Sequence, residues 1–141
     1  MPPPCRPPIA VYSFIISFGR FGRRLNHFAG TNLLEGIVDF WYAEDYPEVT
    51  AGGAILDVRT WFEFQDGHIP GAVHLPLHQL RRRLAELEEL KGRPVYVYCL
   101  SGVRSYIAGR MLMQSGFKQV FNLSGGILTF HSTHPALPLE K

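Results

Sequence analysis

The chain has 141 residues, the size of one domain, and its 46% hydrophobic and 18% charged residues exclude disorder over most of its length. Its 14 Lys and Arg nearly balance 12 Asp and Glu, so the charge gives no basis for nucleic-acid binding. The two cysteines, Cys5 and Cys99, are too few for a disulfide scaffold or an all-cysteine metal site. We therefore expect a globular domain and ask whether either cysteine is reactive.

Residues 1–24 differ in composition from the rest of the chain. Five of the first eight residues are prolines, which prevents a helical start, and the apolar run that follows has 10 residues, whereas a membrane span needs about 20. The run has the length of a signal-peptide core, but its start is proline-rich and no small-residue cleavage site follows closely. We predict a poorly ordered or loosely packed leader, no membrane segment and a cytoplasmic protein.

From residue 25 onward, predicted strands alternate with predicted helices. A short helix or linker is expected over residues 25–36, and strands over residues 37–41, 54–58, 72–74, 94–99 and 118–121. Between them we expect a polar connection (residues 43–53), two helices (residues 61–65 and 78–90), a loop that runs into a helix (residues 102–115) and a last helical turn (residues 127–130). This alternation predicts an α/β fold with a mostly parallel sheet, followed by an extended tail over residues 132–141.

Individual residues define some of these elements. Thr60 is expected to cap the helix over residues 61–65, with Glu63 three residues later completing a capping box. The helix over residues 78–90 has a leucine stripe and a possible Arg82–Glu86 pair, and residues 81–83 are expected to be a solvated arginine face rather than a docking patch. In the helix over residues 102–115, four side chains are predicted to point inward: Ile107, Ala108, Met111 and Leu112.

The segment over residues 99–105 (CLSGVRS) contains the residues of the sequence that most clearly indicate a reactive site. It begins where an apolar strand ends and closes where a helix begins, so backbone N–H groups and the helix dipole form an anion-binding nest. Gly102 permits the dihedral angles of a tight ring, and Arg104 adds a fixed positive charge. An isolated cysteine at a strand end is usually a small buried hydrophobe. Here the loop predicts a lowered pKa for Cys99 and hence a nucleophile.

Four motifs in order resemble those of rhodanese-like (sulfurtransferase) domains. They are residues 56–60 (LDVRT), 67–72 (GHIPGA), 99–104 (CLSGVR) and 122–126 (NLSGG). Residues 96–99 (YVYC) and 102–108 (GVRSYIA) are similar to the C-terminal rhodanese domain of coenzyme A-disulfide reductases and flavin-dependent persulfide reductases. Residues 32–36 (NLLEG) resemble the end of the reductase portion of such enzymes, but no nucleotide-binding Gly-x-Gly-x-x-Gly motif is present.

The resemblance implies a domain over residues 37–131 with three layers: a central, mostly parallel sheet of about five strands and helices on both faces. It implies that Cys99 accepts sulfane sulfur as a persulfide and passes it to a thiol or cyanide, with no metal or organic cofactor. The implied donor is thiosulfate or a low-molecular-weight persulfide, and a flavin-dependent reductase domain or partner is implied as well. Candidate substrate-binding residues are Leu100, Ser101, Gly102, Val103, Arg104, Ser105, Asp57 and Arg59.

Several assignments leave alternatives open. Asp57 and Arg59 either line the site or pair with each other, and His68 is expected to stabilise a turn rather than act as a base. Cys5 is expected to be a spectator thiol rather than a resolving one. The uncharged residues at positions 100 and 103 suit a thiol persulfide better than thiosulfate.

Two other functions compete with sulfur transfer. The first is a partner-binding module of the same fold, although inert members commonly lack the cysteine. The second is a phosphatase or arsenate reductase of the related fold, whose loop needs one more residue between the Cys and the Arg than residues 99–104 provide.

Overall fold

The computed structural model describes residues 38–141, so the predicted leader, the linker helix and Cys5 lie outside the described residues. Five strands form one sheet in the order β1-β5-β4-β2-β3. Their bounds are β1 (Asp39–Trp41), β2 (Ala54–Asp57), β3 (Val73–His74), β4 (Val95–Tyr98) and β5 (Val120–Leu123). All five agree with the predicted strands to within about two residues at each end, which is the usual uncertainty of strand boundaries.

The central strands are parallel and buried on both sides. β2 pairs in parallel with β3 and with β4, and β4 pairs in parallel with β5. All four residues of β2 are buried, and successive side chains of a strand point to opposite faces. Both faces of the sheet are therefore covered at its centre, and the predicted α/β fold with a mostly parallel five-stranded sheet is confirmed.

Five α-helices connect or follow these strands. They are α1 (Tyr46–Gly52), α2 (Trp61–Asp66), α3 (Leu77–Leu80), α4 (Val103–Gln114) and α5 (Gly126–Thr133), and two 3₁₀ segments, Ala43–Asp45 and Leu84–Gly92, lie between them. The expected capping box at the start of α2 is present, with Thr60 as the cap and Glu63 as its partner. The core cluster draws on strands and helices alike and includes Trp41, Ile55, Tyr98, Leu123 and Phe130.

The polar connection predicted over residues 43–53 is wrong, because a 3₁₀ turn and α1 occupy it. Pro47 suggested that no helix forms here, but it lies in the first turn of α1. In the first turn of a helix, the N–H group that proline lacks would have no hydrogen-bond partner within the helix. Val49 then buries its side chain between helix and sheet. A proline within the first helical turn is therefore compatible with this short amphipathic helix.

The single helix predicted over residues 78–90 is also wrong. Helix α3 ends at Leu80, and a 3₁₀ segment runs from Leu84 to Gly92. A 3₁₀ helix has three residues per turn, so Leu84, Leu87 and Leu90 recur on one side at that spacing. Glu86 in this region forms its ion pair with Arg83, at 2.7 Å, rather than with Arg82.

Helix α4 departs from its prediction at one position. Ala108 and Leu112 are buried, but 46% of Ile107 is exposed, so the expectation that Ile107 points inward is wrong. Gly116 has a positive φ of 101° just after the helix, the conformation that is common where a glycine ends an α-helix.

The C-terminal segment is joined to the rest of the described chain. Helix α5 continues to Thr133, two residues into the segment expected to be extended. Beyond it, Glu140 and His68 form an antiparallel bridge through both of their backbone hydrogen bonds, each of 2.9 Å. Within residues 38–141, no helix has the length and apolar character required to cross a membrane.

Candidate active site

The carboxyl ends of the central strands bring the candidate residues together. Asp57, the last residue of β2, is in register with Tyr98, the last residue of β4, and Val58 N–H donates to the Tyr98 carbonyl at 3.2 Å. Cys99 follows immediately and is buried. A reactive group at this edge of a parallel sheet lies where α/β proteins usually bind their ligands.

The loop after β4 folds around the Cys99 sulfur. Gly102 N–H donates to the sulfur at 3.1 Å, and the Ser105 hydroxyl lies 3.3 Å from it. Gly102 has a φ of 122°, which side chains rarely tolerate, and it caps the start of α4. The loop therefore turns back on itself and directs donors of the first helical turn toward the thiol, as the sequence predicted.

These contacts determine the acidity of the thiol. Burial raises the pKa of Cys99, but hydrogen bonds from the Ser105 hydroxyl and from the backbone N–H groups of Ser105, Gly102 and Ser101 lower it. The net pKa lies below the ordinary value for cysteine. Because each of these donors favours the charged form, the cradle stabilises a thiolate or another anion on the sulfur.

Asn122 belongs to this cradle, whereas the sequence analysis named it only as part of the motif over residues 122–126. It lies on β5 opposite Val97, and its side chain is buried. Its Nδ2 donates to the Gly102 carbonyl at 3.0 Å, and its Oδ1 accepts from the Ser105 hydroxyl at 2.5 Å. A polar residue in an otherwise apolar strand next to β4 is the signal that identifies it.

The first turn of α5 holds the other side of the loop. Ile127 N–H donates to the Cys99 carbonyl at 2.9 Å, and Leu128 N–H lies 3.4 Å from the Leu100 carbonyl. Gly126 has a φ of 66°, and a Cβ atom placed there would lie 2.2 Å from the Leu100 carbonyl oxygen. The glycine therefore lets the turn lie directly against the cysteine loop.

Arg104 forms an ion pair that the sequence reasoning did not predict. Its Nη1 and Nη2 atoms each donate to one oxygen of Glu63 at 2.8 Å. Hydrogen bonds from Arg104 are the main reason that the pKa of Glu63 falls to about 2. Glu63 thus has two roles: it completes the cap of α2 and it neutralises the arginine of the loop.

The large exposed side chains of the loop are apolar. Leu100 is 40% exposed and Val103 is 69% exposed, although both are large hydrophobic side chains. Phe62, the neighbour of Glu63 in α2, is 82% exposed. Exposed apolar side chains of this size at a reactive centre are typical of a surface that meets a ligand.

Asp57 and Arg59 pair with each other. Arg59 Nη2 lies 2.7 Å from Asp57 Oδ2 and also donates to the Gly67 carbonyl at 2.8 Å, and both side chains are buried. Of the two alternatives, the structure shows that Asp57 and Arg59 pair with each other. Their part in substrate binding stays a prediction.

His68 stacks on Phe64 with the ring centroids 3.6 Å apart, and its Nδ1 lies 2.9 Å from the Phe64 carbonyl. Through these contacts His68 packs against α2, which agrees with its expected role of stabilising a turn. Among residues 38–141, no three His, Cys, Asp or Glu side chains come together in a way that would hold a metal ion.

Comparisons with known proteins agree with this arrangement. A rhodanese-like domain model matches residues 42–133. A sulfurtransferase from Allochromatium vinosum is 45% identical over 76 residues, which cover 54% of this chain and 69% of the relative.

Two solved structures extend the likeness to reductases. The reduced CoADR-RHD of Bacillus anthracis is 32% identical with a TM-score of 0.70, over 81% of this chain and 20% of its own. The NAD-dependent persulfide reductase of A. fulgidus is 28% identical with a TM-score of 0.55, over 72% of this chain and 17% of its own. Because the family model matches residues 42–133, about two thirds of the sequence, the chain belongs to the rhodanese-like domain family.

Proposed function

We propose that this protein is a sulfurtransferase that carries sulfane sulfur as a persulfide on Cys99. The observation that supports it best is that the Gly102 N–H and the Ser105 hydroxyl both lie within hydrogen-bond distance of the Cys99 sulfur, at 3.1 and 3.3 Å. Such donors stabilise a thiolate before the reaction and a persulfide anion after it. The sulfurtransferase of Allochromatium vinosum, with 45% identity to this chain, adds support.

The reaction has two balanced steps. In the first, the Cys99 thiolate attacks the outer sulfur of the donor, a new S–S bond forms, and the donor's own S–S bond breaks. Thiosulfate then leaves as sulfite, and a thiol persulfide leaves as its thiolate. In the second, the acceptor thiolate or cyanide attacks the outer sulfur of the persulfide and restores the Cys99 thiolate.

A flavin-dependent reductase is the proposed partner or companion domain. The support is structural likeness to the CoADR-RHD protein and to the NAD-dependent persulfide reductase. This chain spans about a fifth of either protein, so the activity of those whole enzymes is not carried over to it. A reductase would consume the persulfide by supplying electrons that release the outer sulfur as hydrogen sulfide.

Mass spectrometry tests the sulfur-transfer proposal. Incubation with thiosulfate or glutathione persulfide should add one sulfur atom to the intact chain, and cyanide should remove it. Cys99→Ser should abolish the adduct, whereas Cys5→Ser, the matched change at the other cysteine, should leave it in place. An absence of adduct with both donors, or hydrolysis of an aryl phosphate faster than sulfur transfer, would contradict the proposal.

A further inference from the structure

The only arginine of the cysteine loop does not face a ligand as a free cation. Arg104 meets Glu63 through two nearly parallel hydrogen bonds of 2.8 Å, the geometry in which guanidinium and carboxylate bind each other most strongly. The exposed fractions of the two side chains are 33% and 29%, so water screens this pair less than a fully exposed one. The positive charge of the loop is therefore already compensated.

Helix α2 holds Glu63 in place independently of Arg104. The Thr60 N–H and hydroxyl donate to Glu63 Oε2 at 3.2 and 2.9 Å, and the Thr60 hydroxyl also accepts from Glu63 N–H at 3.3 Å. Because the capping box fixes the carboxylate, Arg104 cannot turn to an anion without leaving a fixed partner. A donor that needs the guanidinium must therefore compete with Glu63.

The second arginine near this edge of the sheet is compensated in the same way. Arg59 is 4% exposed and bonded to Asp57. The exposed large side chains of the loop, Leu100 and Val103, are apolar, and Ser101 between them exposes a small neutral hydroxyl. An approaching donor therefore meets backbone N–H groups, hydrocarbon and an uncharged hydroxyl, and Arg104 and Arg59 are each neutralised by a carboxylate.

This arrangement distinguishes between two classes of sulfur donor. Thiosulfate carries two negative charges to a thiolate, and its approach is repelled unless a free cation offsets the charge. The persulfide of an uncharged thiol brings at most one charge and an organic group that can contact Leu100 and Val103. The N–H groups around Cys99 would stabilise the sulfur with either class of donor. The difference in rate between the two classes therefore depends on whether Arg104 is compensated.

We propose that Glu63 is a specificity-determining residue: by pairing with Arg104, it makes the Cys99 site favour persulfides of organic thiols over thiosulfate. The inference rests on the proposed sulfur transfer and adds to it the class of donor. Glu63 acts through Arg104 and touches neither the sulfur nor the donor, so it is a positioning residue and not a catalytic one.

The test is the substitution Glu63→Gln. Glutamine keeps an acceptor for the capping box but removes the charge, so α2 remains capped and Arg104 becomes a free cation. The loading of Cys99 is followed by mass spectrometry in single turnovers, with thiosulfate or with the persulfide of N-acetylcysteamine as the donor. The second-order rate of loading by thiosulfate should rise about fivefold, and the rate with the persulfide should change less than about twofold.

Two further variants separate charge from structure. Glu63→Gln combined with Arg104→Gln removes both charges, and its donor preference should return to that of the wild type. Glu86→Gln breaks the exposed Arg83–Glu86 pair, which lies outside the cysteine loop, by the same chemical change. It should leave both loading rates unchanged.

A measurement on the unmodified chain does not depend on whether the variants fold. With the loop cation compensated, loading by thiosulfate should stay constant or accelerate as salt is raised to about 0.15 M, because salt screens the repulsion between two anions. A rate that falls several-fold with salt would indicate a free cation and overturn the inference. Equal changes for both donors in Glu63→Gln would overturn it too, whereas a wild-type chain that no donor loads would overturn the sulfur-transfer proposal along with it.

Discussion

Ser105 lowers the pKa of Cys99 through both its hydroxyl and its backbone N–H. Its side chain is fully buried and lies between the sulfur and Asn122 Oδ1, at 3.3 and 2.5 Å. The Gly102 carbonyl oxygen, at 3.2 Å, is a third acceptor within reach of the same hydroxyl. Asn122 and Gly102 therefore fix the position of the hydroxyl beside the sulfur.

Ser105→Ala should make Cys99 a weaker acid and a slower nucleophile at neutral pH. Losing one hydrogen bond that favours the thiolate raises the pKa, so less of the thiol is ionised near neutrality. The pH dependence of alkylation by iodoacetamide should shift to higher pH, with a several-fold lower rate near neutral pH.

Ser132→Ala is the matched control for this change. It removes an exposed hydroxyl that bonds the Leu128 carbonyl on α5, at 3.1 Å, and should leave the alkylation profile unchanged. A Ser105→Ala profile that coincides with that of the wild type would show that the hydroxyl does not contribute to thiolate stability.

At the scale of elements, the site depends on three segments that meet at the carboxyl edge of the sheet. The β4–α4 loop supplies the thiol and its donors, the capped start of α2 supplies Glu63, and the first turn of α5 supports the loop from behind. The contact between this turn and the loop is close, because Gly126 leaves no room for a Cβ atom. A larger residue at position 126 should therefore displace the loop.

Gly126→Ala should displace the cysteine loop. The new Cβ would lie 2.2 Å from the Leu100 carbonyl oxygen and 2.7 Å from the Ser101 nitrogen, and these are backbone atoms that no side-chain rotation can move. A residue other than glycine at a φ of 66° also costs about 1 kcal/mol. We expect a loss of sulfur loading of at least about tenfold together with a lower melting temperature.

Gly52→Ala is the comparison for that variant. No atom lies within 4 Å of a Cβ placed at Gly52, the last residue of α1, and alanine favours the helix by up to about 1 kcal/mol relative to glycine. Its sulfur loading should match that of the wild type, and its melting temperature should be equal or higher. Full loading in Gly126→Ala would contradict the close approach of turn and loop.

At the scale of the whole molecule, the elements with a strong local signal were predictable. The buried run of β2, the strand-to-helix cysteine loop and the capping box at Thr60 each follow from adjacent residues, and the structure contains all three. The unpredicted features depend on partners distant along the chain. Glu63 and Arg104 are 41 positions apart, and Ser105 and Asn122 are 17 apart, so no local pattern shows their pairing.

The two incorrect predictions, over residues 43–53 and 78–90, are explained by the local sequence rather than by distant partners. Pro47 lies in the first turn of α1, where its usual helix-breaking effect does not apply. The leucines after residue 80 recur at a spacing of three, which suits a 3₁₀ segment as well as it suits an α-helix. In both cases the local sequence permits more than one conformation.

The Glu63–Arg104 pair makes the stability of the domain depend on pH, in addition to its role at the cysteine loop. The pKa of Glu63 falls from 4.5 to about 2 in the folded chain, mainly because Arg104 donates to it. A carboxylate with a lowered pKa stabilises the fold above the unfolded-state value, and that stabilisation is lost as the pH falls from about 4.5 toward about 2. The pair joins α2 to the start of α4, so its loss weakens contacts between segments far apart in sequence.

Urea unfolding of the wild type and Glu63→Gln should reveal this linkage. At neutral pH the wild type should have the larger free energy of unfolding, by about 1 kcal/mol for a partly exposed pair. The difference should shrink steadily as the pH is lowered to about 3, because protonation makes the wild-type carboxyl resemble the neutral glutamine. A difference that stays constant over this range would show that the glutamine variant loses stability through packing or capping rather than through the charge of Glu63.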